Sequence, residues 1–267
     1  MMGTLPPDRP AGLEETRPRG VLRPAQWSRA ATLRKLTPVP EVARFVEFYW
    51  WVRWEGPYET NVLAHPNVHL VFEEPAPLVY GVDRGLFTRK LAGTGQVLGV
   101  KFRPGWFRPF IDGPVSRLAD RRLPAADFFS GVHNGVIWSS GDPASAADEF
   151  LLPRLPASDP LCAEAEAIVG WITGSAETFR VDDVAREFGT SVRSLQRLFA
   201  EYVGASPKWV LRRARLHEAA ARADSGAVDW ATLAAELGYA DQPHFVRDFT
   251  GAVGVPPSRY VVQSDQR

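Results

Sequence analysis

With a single cysteine, Cys162, in 267 residues, the chain can form no internal disulfide and no cysteine-rich zinc cluster. No run of about 18 apolar residues occurs, and the N-terminus has no basic segment leading into an apolar one. Neither a membrane span nor a secretory signal is expected, and a cytoplasmic location follows as the expectation. An excess of charge of one sign is also missing, because 31 Lys plus Arg balance 31 Asp plus Glu. Any attraction to a polyanion must therefore come from one local face. The 45% of residues that are apolar suffice for one large or two ordinary packed domains.

The last third of the chain carries one helical pattern written twice. VDDVAREFGTSVRSLQRLFAEYVGASP is followed by WATLAAELGYADQPHFVRDFTGAVGVPP, with Gly189 matching Gly238, Arg197 matching Arg247, Phe199 matching Phe249 and Pro207 matching Pro257. Each copy reads as a short helix, a glycine, a turn and a second amphipathic helix. That order is the signature of a helix-turn-helix whose second helix enters the DNA major groove. Between Ser191 and Arg215 stand six basic residues (Arg193, Arg197, Lys208, Arg212, Arg213, Arg215) and one acidic residue, Glu201. The local field thus favours phosphate where the whole-chain charge does not.

Upstream, residues 1–35 carry prolines and charges without a sustained apolar period and are expected to be a disordered arm. From Pro40, PEVARFVEFYWWVRW passes from a helical turn into a strand, and strand-like runs follow at NVHLVFE, PLVYGV, LFTRKLAG and VLGVKF. This predicts a mainly antiparallel β domain over 36–155. A helix in PASAADEFLLPRL, a linker at 156–160, an all-helical domain over 161–262 and a tail at 263–267 complete the expected α+β two-domain layout. Leu161, Ala165, Ile168, Trp171 and Ile172 form an apolar stripe at helical spacing. Residues 207–223 read as a helix of roughly 25 Å, long enough to set two reading helices about one DNA turn, roughly 34 Å, apart.

The ordered landmarks RSLQRLF, GASPKWVLRRARLHEAAARA, LAAELGYADQPHFVRDF and GVPPSRY resemble the DNA-binding domain of the AraC/XylS family of bacterial transcription regulators. PNVHLVFE and GVKFRPGWFRPF resemble a cupin-like regulatory domain found in one branch of that family. The resemblance implies a regulator that binds double-stranded promoter DNA, with an N-terminal domain that senses a small-molecule effector or mediates a homodimer, and with contact to RNA polymerase. It implies no catalysis, no cofactor and no membrane. Two departures stand out: FTGAVG lacks the basic residue the family often has after the phenylalanine, and Val261 follows Tyr260 where an arginine is common. The second unit is expected to anchor phosphate less strongly than the first.

With Val192, Leu195, Phe199 and Val203 turned inward, Arg193, Gln196 and Arg197 fall on the outer side of the first reading helix. Gln242, His244 and Arg247 do so in the second, where Phe245 and Phe249 point inward. These six are the candidate base readers, since arginine pairs bidentately with guanine and glutamine with adenine. Ser191 and Asp241 are placed to cap the two helices, and Ser194, Lys208 and Arg212 to reach phosphate. A solvated helical face is the plain alternative for any one of them.

In the β domain, His65, His69 and Glu73 invite a metal reading, but positions four apart on one strand lie about 13 Å apart. Bonds of about 2.0 to 2.1 Å cannot bridge that gap, so structural histidines are expected and no metal site is assigned. Trp51, Phe72, Tyr80, Phe102 and Trp106 are candidates for an apolar effector pocket, with ordinary core as the competing reading. Two other classes stay open: a cupin-type metalloenzyme with an adaptor helical domain, and a protein-partner adaptor that never touches DNA.

Overall fold

The computed structural model describes residues 20–22, 31–174, 180–226 and 228–260. Its N-terminal half is built on eight strands: β1 (Ala31–Leu36), β2 (Val46–Glu55), β3 (Tyr58–Leu63), β4 (His69–Phe72), β5 (Leu78–Tyr80), β6 (Leu86–Leu91), β7 (Thr94–Phe102) and β8 (Arg122–Pro124). Six of them form one sheet in the order β1-β2-β7-β4-β5-β8, while β3 and β6 pair as a second, two-stranded sheet. All pairings are antiparallel.

Alternation along β2 explains how the large sheet buries both faces. Tyr49 points into the main core, whereas Trp50 packs on the opposite side. The Trp50 ring lies so close over Gly99 that a Cβ there would sit 1.9 Å from Trp50 Cε2. A side chain at position 99 would displace the indole.

One expectation needs correction here, and two strands have no counterpart in the sequence reading. Residues 31–35 belong to β1 and not to an arm, because each pairs with a residue of β2, from Ala31 opposite Trp54 to Lys35 opposite Trp50. Most of the remaining expected arm, together with the tail, lies outside the described residues. YETNVL forms β3 and Arg122–Pro124 forms β8, neither of which carries the strong apolar alternation that marks a strand in isolation.

A helical layer covers one face of the large sheet. It contains α1 (Pro40–Ala43), α2 (Gly135–Trp138), α3 (Pro143–Leu151) and several 3₁₀ turns, among them Arg108–Phe110 and Val115–Leu118. Phe72 meets Phe150 edge to face, and Phe102, Phe107, Phe110 and Phe129 form a connected aromatic cluster. The opposite face is more polar toward β6. There Glu73 pairs with Arg89 and the Tyr80 hydroxyl, and Arg122 lies over the Tyr80 ring while forking onto Asp83.

After residues 155–159, which form no regular element, the chain turns helical: α4 (Pro160–Gly174), α5 (Val181–Glu187), α6 (Val192–Leu198), α7 (Pro207–Ser225), α8 (Trp230–Glu236) and α9 (Gln242–Val253). α6 runs directly into a wider π turn over Phe199–Val203. In α4 the buried stripe is Cys162, Ala165, Ile168, Val169 and Ile172. Leu161, expected on that stripe, is 42% exposed at the helix start, and Cys162 takes the inward place.

No boundary separates the apolar cores of the two halves at the first unit. One cluster runs from Tyr49, Leu98 and Phe102 of the sheet through Phe107 and Val115 to Ile168, Leu195, Phe199 and Val203. The second unit has its own cluster, in which Leu216, Leu233, Leu237, Phe245, Phe249 and Tyr260 are joined by Leu22 and Leu63 from the N-terminal half.

Candidate nucleic-acid interface

Both units close their first helix in the same way. Gly189 (φ +59°) and Gly238 (φ +69°) adopt the left-handed conformation that glycine enters without a Cβ penalty. The Thr190 amide donates to the Ala185 carbonyl at 2.9 Å and the Gly189 amide to Arg186 at 3.2 Å. In the second unit, Tyr239 donates to Ala234 and Gly238 to Ala235, both at 3.0 Å. This paired pattern satisfies the last carbonyls of a helix and turns the chain sharply.

The reading helices then start under matching caps. Ser191 Oγ accepts from the Ser194 amide at 3.1 Å, and the Asp241 carboxylate accepts from the His244 amide at 2.6 Å. Pro243 occupies the first turn of α9, where no intrahelical amide is required. Leu195 on α6 and Phe199 at the start of the π turn that continues it are buried, as are Phe245 and Phe249 on α9. Arg193, Gln196 and Arg197 are exposed on α6, and Gln242, His244 and Arg247 on α9. Each unit therefore presents an exposed donor set from a helix whose other side is locked by aromatics.

The structure divides the residues placed near phosphate. Ser194 Oγ is 3.0 Å from Ser191 Oγ, so part of its hydrogen-bonding capacity is spent on the cap. Lys208 is exposed in the first turn of α7, which Ser206 caps through the Trp209 amide at 3.2 Å. Arg212 is turned toward the second unit, with its Nε 2.9 Å from Asp248 Oδ2.

Arg213, next to it, faces the N-terminal half and is 4% exposed. Its Nη2 donates to the Arg84 carbonyl at 2.6 Å and to Gly85 at 3.3 Å, while its guanidinium lies over the Trp209 ring. Burial, assisted by the charge of Arg212, pulls this guanidinium down to about 10, still cationic at neutral pH. Arg213 stands out in the sequence only as one of six basic residues and Asp248 not at all, yet both tie the two units to their surroundings.

Further contacts bind the first unit to the N-terminal half. Arg108 Nε lies 2.7 Å from Glu201 Oε1, and Arg103 Nη1 lies 2.9 Å from Glu166 Oε1. A Cβ added at Gly204 would stand 2.9 Å from Val115 Cγ1. At the other end of α7, His217 stacks on His65 with ring centroids 4.0 Å apart.

The five aromatics proposed for an effector pocket do not converge. Phe72, Phe102 and Trp106 are buried in the main core and Trp51 packs at its margin, whereas Tyr80 lies on the opposite face of the sheet. Sheet alternation sets Tyr80 apart from the other four, which linear spacing across several strands does not reveal. The three groups weighed for metal also take separate partners. His65 meets His217, His69 Nδ1 accepts from Trp50 Nε1 at 3.0 Å, and Glu73 pairs with Arg89.

Two capped helix-turn-helix units are thus joined by one long helix. Residues 184–263 match the helix-turn-helix domain family, and residues 34–124 match a domain of unknown function (DUF6597). Over 84 residues the chain is 31% identical to the HTH-type transcriptional regulator ExsA of Pseudomonas aeruginosa, covering 30% of this chain and 29% of ExsA. It thus spans less than a third of the length of that curated relative.

Among solved structures, a transcriptional regulator with an AraC-type DNA-binding domain from Chromobacterium violaceum is 25% identical, with 37% of this chain and 89% of that one covered and a TM-score of 0.34. ToxT from Vibrio cholerae is 11% identical, with 89% of this chain and 98% of that one covered and a TM-score of 0.40. The assignment rests on the C-terminal match and the paired geometry: residues 184–263 are a helix-turn-helix domain.

Proposed function

We propose that the chain is a sequence-specific transcription regulator that binds double-stranded promoter DNA in the cytoplasm, reads bases with α6 and α9, and catalyses nothing. The observation that carries this reading is the pair Arg197 and Arg247, exposed at matched places on two helices that share cap, glycine turn and inward phenylalanine. Arg193, Gln196, Gln242 and His244 complete the two sets of base-edge donors and acceptors. Lys208, at the start of the connecting helix, is the phosphate contact this reading favours. Among the described residues, no helix is long and apolar enough to cross a membrane.

The N-terminal domain acts here as the platform that holds the reading modules, which makes it the natural place for an effector or an assembly partner to act. Support comes from the shared core at the first unit and from the capture of Arg213 by the Arg84 and Gly85 carbonyls.

The test is selection of bound sequences from a random duplex pool by the full chain at near-physiological salt. Two enriched blocks about one helical turn, roughly 34 Å, apart are expected. A single block would restrict base reading to one unit. Failure of a folded, full-length chain to enrich any sequence would favour the adaptor that never touches DNA.

A further inference from the structure

Between the matched arginine and phenylalanine the two reading helices differ: Leu198 stands in α6 and Asp248 in α9. Leu198 packs against the main core. Asp248 is a carboxylate with 18% of its side chain exposed, and its Oδ2 accepts from Arg212 Nε of α7 at 2.9 Å and from the Tyr239 hydroxyl at 3.3 Å. Arg215, further along α7, lays its guanidinium over the Tyr239 ring, 4.7 Å from its centroid. Two groups from two neighbouring segments, Arg212 and Tyr239, thus converge on one acid of the second reading helix, and Arg215 backs the tyrosine.

A carboxylate adjacent to Arg247 would repel phosphates if left bare, so its neutralisation by Arg212 removes a cost to DNA approach. The pair also has a geometric role. Consecutive helical residues point about 100° apart, which lets Arg212 hold α9 while Arg213 holds the Arg84–Gly85 segment from the same turn of α7. An ion pair this exposed adds little net stability. Its main consequence is direction.

We propose that Asp248 and Arg212 are positioning residues that fix α9 against the connecting helix and so set the spacing between the two DNA blocks, with Arg212 acting here and not as a phosphate contact. This rests on the DNA-reading function proposed above. The first unit has no acid at the matching place: its reading helix is seated on the shared core and tied to the N-terminal half by Arg108 and Glu201.

The experiment uses the full chain as wild type, Asp248→Ala, Arg212→Ala, the double variant and Asp248→Asn, each verified as folded by thermal melting. If Asp248→Ala fails to fold, the near-isosteric Asp248→Asn carries the same test. Wild type is expected to enrich two blocks at one spacing. Each single substitution should keep both blocks, spread their spacing over several base pairs and weaken the wild-type site about fivefold, with the double variant no worse than either single. The salt dependence of Arg212→Ala should equal that of wild type.

A salt slope lowered by roughly 0.9 in Arg212→Ala with spacing unchanged would make Arg212 a phosphate contact and overturn the proposal. Additive losses in the double variant would overturn it as well. If wild type itself enriches nothing, the DNA-reading function falls and this inference falls with it, a result seen before any substitution is compared.

Discussion

The two helix-turn-helix units share one local design and sit in different surroundings. In the first, Leu195, Phe199 and Val203 belong to the same core as the sheet of the N-terminal half, and the reading helix widens into a π turn where it meets the Val115–Leu118 segment. In the second, Phe245 and Phe249 are enclosed by α7, α8 and Tyr260, and α9 continues as regular helix to Val253. Local sequence sets the glycine turn and the cap in both. What each reading helix is fastened to is decided by its neighbours: in the first unit by the shared core and the Arg108–Glu201 pair to the N-terminal half, in the second by a core largely its own and the Arg212–Asp248 pair to the connecting helix.

The largest effect expected from this difference is on a fragment comprising residues 158–267. Cutting away the N-terminal half removes part of the core around Phe199, Val203 and their neighbours, including Phe107 and Val115, and each large apolar side chain is worth about 1.5–3 kcal/mol when fully buried. Loss of several such contacts approaches the whole stability of an ordinary domain, about 5–15 kcal/mol. Amide hydrogen exchange on the fragment should find α6 unprotected while α9, which loses chiefly Leu22 and Leu63 from its cluster, keeps protection. Equal protection of the two helices would mean that the first unit has an independent core after all.

A smaller version of the same comparison uses two glycines. Gly204 (φ +88°) and Gly254 (φ +83°) end the two reading helices in left-handed geometry. Alanine at either pays about 1–2 kcal/mol for that conformation. At position 204 the new Cβ would also lie 2.9 Å from Val115 Cγ1 and 3.2 Å from the Val115 carbonyl, while at 254 the nearest atom is Leu86 Cδ2 at 3.6 Å. Overpacking adds about 1–3 kcal/mol in such places. Denaturant midpoints should therefore fall further for Gly204→Ala than for Gly254→Ala, and a reversed order would show that the N-terminal half does not press on the first unit.

For base reading, Arg197→Ala and Arg247→Ala should each cost about 1–3 kcal/mol on the selected site and relax preference at different base positions. Arg197→Ala is expected to be the costlier, because the second unit has fewer nearby cations to support it. Competition binding against single-base variants of the site measures both values. Uniform weakening on every sequence would reduce either arginine to a phosphate contact.

Much of this comparison is legible in the chain itself. The repeat with its two glycines, the inward phenylalanines and the cap residues Ser191 and Asp241 are all short-range features, and short-range features survive folding unchanged. The antiparallel β half is readable from the aromatic run of β2 and the apolar runs of β4 and β7. Strand β3, with Glu59, Thr60 and Asn61 at its centre, is not, because it is stabilised by pairing with β6 and not by its own pattern. Arg213 left a signal that could have been followed: Val210, Arg213, Leu216 and Ala220 form one inward stripe of α7 at helical spacing, so an arginine there must find buried acceptors. Asp248 left none, since its partner lies 36 residues away.

The smallest effect concerns phosphate and comes from extending the repeat by one residue. Beyond Pro207 the first unit has Lys208, and beyond Pro257 the second has Ser258, both exposed in the first turn of a helical segment. If Lys208 neutralises one phosphate, Lys208→Ala lowers the slope of log affinity against log salt by roughly 0.9. Placing a cation at the matching position by Ser258→Lys should raise the slope by the same amount, because the backbone of the two units ends alike. A change in the first substitution without one in the second would mean that the two ends approach the duplex differently, as their different attachments to the N-terminal half allow. Both substitutions leave the apolar cores untouched, so any shift in slope reports the DNA face and not the stability of either unit.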